Sequence, residues 1–564
     1  MHEFLIPPFI FFFGALLTPV FPAGWLRGIW TLIVPIAAVA ILFHLGDGSY
    51  LNVNFYGLEL ELCRVDALSR IFVIVFCLAA LLGNIYAWHL RDTTQQVAAL
   101  LYAGSAVGAT LAGDLITLFF YWEGTAIASV FLIWARGTEG AYWTGLRYLI
   151  AQVGSGVVLI AGIVLYYFQT GSIAFDQMEL GSLATWMILF AFGIKAAFPF
   201  LHNWMIDAYP SATVTGAVIL SAFTTKLAIY ALARTFAGEE LLIYIGIVMV
   251  VFTVIYAQIE NDLRRVLAYS LNNQLGFMVI GVGVGTELAL NGVAGHAFVH
   301  ILYKSLLFMA VGAVLFRTGT AKATELGGLY RTMPLTMIFC IIGAMSASAF
   351  PLFSAFATKS LILDGVAKEG LQLTWVVLVF GSIGVLAHAG IKIPYEAFFS
   401  KDSGKRPKEA PSHMLIAMGI AAAFCLGIGF APSLLYRALP FEMEYVAYTT
   451  SHVVGQVQLL LFGGLGFVIL VLSGIAPVAL KAVNLDFDWV TRKALPYLFG
   501  YVASAVRTVW GGITDFLNRA AEGAFFRMMH THGPEGRMAR QWPTGAMVLS
   551  IAILLALSLL INFV

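Results

Sequence analysis

The sequence predicts an all-α polytopic membrane protein, and three observations carry that prediction. Hydrophobic residues fill 60% of the 564 positions and charged residues only 11%, against about 25% charged in soluble domains. Mean hydropathy is +0.89. Apolar runs of about 18 or more residues, enough to cross a hydrocarbon slab of about 30 Å, recur along the whole chain. They are continuous and do not alternate at period two, which selects helices over a barrel.

In chain order, spans are expected near 4–21, 25–45, 66–89, 97–113, 114–135, 144–169, 182–201, 211–235 and 240–259. Further spans are expected near 266–284, 292–316, 334–362, 373–399, 413–436, 454–479 and 543–563. The total is about 14–16. The divisions that follow are N-terminal helices at 1–95, a core at 96–400, C-terminal helices at 401–479, an amphipathic segment at 480–542 and a final helix at 543–564.

Met1-His2-Glu3 lacks a basic leader region and a small-residue cleavage site, so the first run is expected to stay as a span. One alternating set of loops holds Arg27, Arg91, Arg136, Arg264 with Arg265, Arg317, Lys322 and Arg331, then Lys401, Lys405, Arg406 and Lys408. The other set includes the acidic loop 46–65 and the loops 170–181 and 285–291, the last two without Lys or Arg. This positive-inside alternation places the N-terminus on the outer side of the cell (inner) membrane. Within 480–542, Lys481, Arg492, Lys493, Arg507, Asp515, Arg519, Glu522 and Arg527 are mixed with Leu, Phe, Trp and Val. Helices lying in the interface plane and a partly helical cytoplasmic loop both fit that mixture.

Several function classes are excluded. A formal charge of +1 offers no basic face for nucleic acid. Cys63, Cys77, Cys340 and Cys425 form no CxxC pair, so neither zinc nor redox chemistry is indicated and no cofactor or metal is expected. Gly281-Val282-Gly283-Val284-Gly285 lies in an apolar span without a preceding strand, which suits helix packing and not nucleotide binding.

The informative residues are ionisable groups inside spans, each costing several kcal/mol to place there. They are Glu123, Lys195, Lys226, His296, His300, Lys304, Lys359, His388 and Lys392. His296, His300 and Lys304 are spaced by four, so they share one helix face and cover about 12 Å of its length. Such a stripe can pass protons with water bridging the gaps. A buried lysine suits this work because burial lowers its pKa and a nearby carboxylate raises it. Glu123 is the natural partner of Lys195 in such a scheme. Lys392 and Lys359 have simpler readings as snorkelling or paired lysines.

Backbone breaks accompany the charges. Pro199 follows Lys195, and Pro210 ends the polar stretch from His202 to Asp207. A proline within a span frees a carbonyl, which is tolerated beside a cavity or the protein interior; His202 could bond such a carbonyl. Pro351 is a comparable break before Lys359. Ala197-Phe198-Pro199-Phe200 and Ala349-Phe350-Pro351-Leu352, 152 residues apart, hint at an internal repeat of the kind common in transporters.

With these segments in place, the sequence resembles the antiporter-like membrane subunits of complex I, membrane-bound hydrogenases and Mrp-type cation/proton antiporters. The resemblance rests on Tyr121-Trp122-Glu123, Gly193-Ile194-Lys195-Ala196-Ala197-Phe198-Pro199, Leu201-His202-Asn203-Trp204 with Asp207-Ala208, and Thr225-Lys226-Leu227 through Arg234. It continues in Asp262-Leu263-Arg264-Arg265 through Ser270, Gln274-Leu275-Gly276-Phe277-Met278, His296 through His300 to Lys304-Ser305-Leu306-Leu307-Phe308, and Thr358-Lys359. It covers about 60 to 400. Thr225-Lys226 and Lys392-Ile393-Pro394-Tyr395 look most like the D-type component of Mrp antiporters.

The resemblance implies two inverted five-helix repeats, each with a broken helix. It implies a proton path through Glu123, Lys195, Lys226, His296, His300, Lys304 and Lys359, with His202, Asp207, His388 and Lys392 as secondary candidates. It also implies a multi-subunit assembly: a Na⁺ (or other monovalent cation)/proton antiporter, or alternatively a redox-driven complex I-like or hydrogenase complex. A secondary-transporter subunit is expected over an enzyme, since no catalytic motif is present.

Overall fold

The computed structural model describes residues 6–474, 484, 486–487, 489–537 and 543–563, with Met1-His2-Glu3 and Lys481 outside the described residues and only the backbone of Arg492 described. The chain divides into two compact units, Met1–Asn484 and Leu485–Val564.

The first unit opens with α1 (Pro7–Leu17) and α2 (Trp25–His44), followed by strands β1 (Gly48–Phe55) and β2 (Leu58–Val65). Next come α3 (Ala67–Tyr86), α4 (Thr93–Leu111), α5 (Leu115–Trp134), α6 (Glu139–Thr170), α7 (Leu183–Lys195), α8 (Asn203–Ser211), α9 (Val214–Leu220) and α10 (Thr224–Thr235). The chain continues through α11 (Glu240–Ile259), α12 (Leu263–Val284), α13 (Glu287–Thr318), α14 (Pro334–Ala347), α15 (Ser354–Lys368) and α16 (Gln372–Val385). It closes with α17 (Ser412–Phe430), α18 (Pro432–Tyr436) and α19 (Thr450–Leu472). Within the described residues every span expected from hydropathy falls on a helix or a broken pair of helices; residues 4–5 of the first span and 475–479 of the span 454–479 lie outside the described residues. Among the described residues, eleven helices are long and apolar enough to cross a membrane, and three shorter ones are apolar. The α4 and α12 helices fall below that apolarity because they carry buried polar residues, Gln95 in one and Asn272, Asn273 and Gln274 in the other. These side chains face protein.

Helix starts follow their capping residues. Asp66 opens α3 in a capping box with Ser69, and Asp92, Asp114, Thr138, Ser182, Asp262 and Thr286 each accept a bond from a first-turn amide. Burial pushes the Asp66 carboxyl up, but Arg234, 2.6 Å away, and the Ser69 amide outweigh it and hold the group below its ordinary value.

Three expectations need correction. The acidic segment 46–65, expected as a loop, is a hairpin in which Ser49 faces Arg64 and Asn54 faces Glu59. Its turn at Tyr56-Gly57 takes positive φ at both residues, 51° and 86°, the two-residue geometry that matches strand twist. The span 211–235 is interrupted at Ser221-Ala222-Phe223. The span 373–399 widens after Val385 into π-type turns at Leu386–Lys392 and Tyr395–Phe399.

An internal repeat with an offset of 148 residues organises the core. Asp114 and Asp262 cap α5 and α12, and isolated bridges join Asp114 to Ala174 and Asp262 to Lys322. The α6 and α13 helices are both 32 residues long, are capped at their starts by Thr138 and Thr286, and are followed by left-handed Gly171 and Gly319. The breaks after α7 and α14 match in geometry as well, four residues further apart, at an offset of 152. Ala197 and Ala349 adopt φ of 59° and 54°, and Phe200 and Leu352 of 69° and 73°. Phe198 N–H donates to Gly193 as Phe350 N–H does to Met345. Left-handed backbone at non-glycine residues is costly and clusters at functional sites.

In the second unit, α20 (Leu495–His532) is one continuous helix of 38 residues. The last helix is α21 (Thr544–Phe563).

Candidate functional site

The α7 helix stops at Lys195 because the left-handed turn at Ala197 cannot continue it. The Lys195 side chain is fully buried; its Nζ donates to the Trp122 carbonyl at 2.5 Å and to Thr125 Oγ1 at 2.8 Å, and lies 4.4 Å from the Trp122 ring centre. Among the described residues no ion pair within 4.0 Å joins Lys195 to Glu123; the Lys195 ammonium is held by a carbonyl, a hydroxyl and a π face. Glu123 is partly exposed, and its buried Oε1 has no hydrogen-bond partner. That oxygen rests on Gly156 of α6, where an added Cβ would stand 1.6 Å from it. Glu123 and Lys195 still interact electrostatically.

The interruption between α9 and α10 places Lys226. The break frees the Ser221 carbonyl, and Lys226 Nζ donates to it at 2.6 Å from a fully buried position. This is a carbonyl exposed by a broken helix and used to seat a cation.

The stripe expected on α13 lies on one face, buried throughout. His296 is held at both nitrogens, by Thr358 Oγ1 at 3.0 Å and Gln274 Oε1 at 3.1 Å. The Tyr303 hydroxyl donates to the same Gln274 oxygen at 3.1 Å. His300 has its ring 6.0 Å from His296 and 5.2 Å from Tyr303, and neither of its nitrogens has a hydrogen-bond partner. Lys304 donates to Ser270 at 2.6 Å. On α15, the Lys359 ammonium has no hydrogen-bond partner and sits 4.8 Å from the Phe277 ring centre. A cavity of about 490 Å³ opens beside the next residue, Ser360, and is also lined by Asp364, Tyr445 and His452.

The secondary candidates separate. Lys392 donates to the carbonyls of Gln258 at 2.5 Å and Glu260 at 2.7 Å, and more weakly to that of Ala257 at 3.4 Å. It thus caps the C-terminal end of α11, where a cation is favoured. Asp207 pairs with Arg265 at 3.2 Å, and Arg265 with Glu260 at 3.0 Å, forming an ion-pair network. The His202 ring packs edge-on to Phe252 at 4.8 Å. His388 is fully buried with both nitrogens unbonded, on the same π-type turn as Lys392.

Gln274, Tyr303, Thr358, Ser270 and Thr125 complete the coordination of these groups. None carries charge, so a reading that looks for buried charge passes over their role. The repeat aligns Tyr148, Gln152 and Gly156 with His296, His300 and Lys304.

The fold and site define a multi-pass helical membrane protein with an internal repeat and a buried row of titratable side chains. Residues 112–385 match the family described as NADH:quinone oxidoreductase/Mrp antiporter, TM. NAD(P)H-quinone oxidoreductase chain 4 2 of Microcystis aeruginosa is 28% identical over 57% of this chain and 63% of its own. The D-type Na(+)/H(+) antiporter component of Alkalihalophilus pseudofirmus is 28% identical over 58% of this chain and 71% of its own. The fold is shared with a chain of the membrane-bound sulfane sulfur reductase, an archaeal respiratory membrane complex, at a TM-score of 0.72 and 22% identity over 99% of this chain and 100% of the other. Measured on the relatives, the chain spans between 47% and 71% of the first four curated ones.

Proposed function

We propose that this chain is the proton-translocating subunit of a multisubunit monovalent cation (Na⁺)/proton antiporter, closest in kind to the D-type component, in the cell inner membrane with its N-terminus outside. The observation that carries this reading is the buried row itself. It begins at partly exposed Glu123, passes Lys195, Lys226, His296, His300 and Lys304, and reaches Lys359, whose neighbour in sequence, Ser360, lines the cavity of about 490 Å³. Among the described residues His300 and Lys359 have no hydrogen-bond partner, so each can take or give a proton without first breaking such a bond. A change in the distance between Glu123 and Lys195 alters how strongly the lysine holds its proton.

The inverted relation of the repeats belongs to this reading. Five crossings, by α4, α5, α6, the α7/α8 pair and the α9/α10 pair, separate the start of α4 from the start of α11. An odd number of crossings starts the second repeat from the opposite face. The long α20 helix and α21 then serve contacts with other membrane subunits, α20 on the cytoplasmic side or laterally.

The decisive measurement is ion exchange in everted vesicles from cells carrying the whole operon, comparing Na⁺, K⁺ and an uncoupler. Lys195→Ala is expected to abolish proton-coupled transport while the complex assembles; unchanged transport in the assembled variant overturns the reading. A second reading, a proton-pumping subunit of a redox-driven complex, is favoured by the relatives named as oxidoreductase and hydrogenase components. It predicts transport that needs an electron donor and shows no Na⁺ dependence.

A further inference from the structure

We propose that Gln152, with Tyr148 one turn away on α6, forms a water-holding station that carries protons between Lys195 and the hydroxyl groups leading to α10. The inference rests on the proton-transport reading and names an uncharged part of its path.

Gln152 is completely buried, and neither its Oε1 nor its Nε2 has a hydrogen-bond partner among the described residues. A glutamine amide offers two donors and two acceptor sites, and buried polar groups are almost always bonded to protein or to ordered water. Two unbonded ends on one fully buried side chain therefore point to water.

The register of α5 against α6 shows where that water lies. At one end Glu123 Oε1 rests on Gly156. At the other, Ser129 Oγ meets Tyr148 OH at 2.7 Å. Gln152 is four residues from both Gly156 and Tyr148, on the same helix face, so it stands level with the Thr125–Ala126 turn of α5. Thr125 Oγ1 is the group that accepts from Lys195 Nζ at 2.8 Å. Beyond Tyr148 the hydroxyl line continues. Thr224, the first residue of α10, interacts with Tyr148 and shares a 2.6 Å hydrogen bond with Tyr102. Lys226 is two residues further on.

The repeat supplies an independent argument. Gln152 aligns with His300, and both are fully buried polar side chains without a protein partner. Gly156 aligns with Lys304, and the space its missing side chain leaves is filled by the Glu123 carboxylate. Each repeat thus places an unbonded polar group one turn from a charged one.

The transfer balances without any co-reactant. One N–H bond of the Lys195 ammonium breaks as one O–H bond forms on the water, which passes one of its own protons towards Tyr148. The amine is recharged from the Glu123 side. The amide holds the water and does not itself titrate.

The test uses the assembled complex in everted vesicles, with Gln152→Leu, Gln152→His, Tyr148→Phe and Lys195→Ala. Gln152→Leu is expected to lower proton transport at least tenfold, Gln152→His to recover most of it as at His300, and Tyr148→Phe to lower it. Wild-type rates in Gln152→Leu, or no recovery in Gln152→His, overturn the proposal. An inactive Lys195→Ala beside an active Gln152→Leu removes this station alone, whereas an active Lys195→Ala removes the transport reading itself. If Gln152→Leu fails to assemble, cryo-EM of the wild-type complex decides: water within bonding distance of the Gln152 amide supports the station, and a dry amide overturns it.

Discussion

In the first repeat the position of Lys304 is a glycine, Gly156, and a carboxylate from the neighbouring helix fills the space. In the second, the lysine itself is present and donates to Ser270 at 2.6 Å. The first repeat's own lysine, Lys195, comes instead from the broken helix and is held by Trp122 and Thr125. In the second repeat the broken pair contributes Lys359 from its other half, without a hydrogen bond. One backbone plan thus carries two arrangements of charge: a lysine with a carboxylate nearby, and a purely basic group of histidines and lysines. The plan sets where a titratable group can stand, and the side chains decide how tightly it holds a proton.

The largest expected effects test whether both repeats lie on one path. Lys195→Ala in the first and Lys304→Leu in the second should each reduce transport at least about a hundredfold, the scale at which general acid–base groups matter. A complex that loses transport with Lys195→Ala but tolerates Lys304→Leu would show the stripe on α13 to be structural. Next is Gly156→Ala. Its methyl group would overlap the Glu123 carboxylate and push it aside, for an expected loss of about tenfold or more, measured as initial proton flux. Gly154→Ala, on the same helix with nothing within 4 Å of an added Cβ, should transport normally. Equal behaviour of the two glycine variants would break the argument that the first repeat is tuned by the seating of Glu123.

A smaller effect is expected outside the path. Lys392→Met should leave transport intact but orphan the carbonyls at the end of α11, lowering stability by about 1–3 kcal/mol in thermal unfolding of the purified complex. Lost transport at full stability would return Lys392 to the path. The smallest effect compares the two breaks directly. Ala197→Gly and Ala349→Gly relieve left-handed backbone at φ of 59° and 54° and should each raise stability by about 0.5–1 kcal/mol. Opposite signs would show that the matching geometry hides different constraints.

Much of this architecture is legible in the sequence, because burial in a membrane leaves a strong signal in composition. Within the described residues each expected span is a helix or a broken pair. The hairpin at 48–65 escaped because Leu58-Glu59-Leu60-Glu61-Leu62 reads as acidic before it reads as alternating. The charged candidates were visible for the same reason as the spans: a lysine among leucines stands out. What holds them was not. Nothing local says that Lys195 bonds to the carbonyl of Trp122, 73 residues earlier, or that Lys392 caps another helix. The repeat was visible only as two four-residue segments, since most of it resides in caps and backbone bonds shared by residues of different chemistry, such as Tyr148 and His296. Gln152 left no trace because the signal sought was charge, and an amide carries none.

The row's sign of charge has a consequence for what can travel along it. Beyond Glu123 every ionisable member from Lys195 to Lys359 is a base, so a metal cation entering the row would meet successive ammonium groups. At 4 Å, a unit positive charge beside one of them is repelled by about 4 kcal/mol at an effective dielectric constant near 20. A proton avoids that barrier because it does not move as a separate ion; each lysine surrenders its own charge before the next one forms. On the proposed proton-transport reading the row is a filter that conducts protons and rejects sodium, and any exchanged cation takes a different conduit.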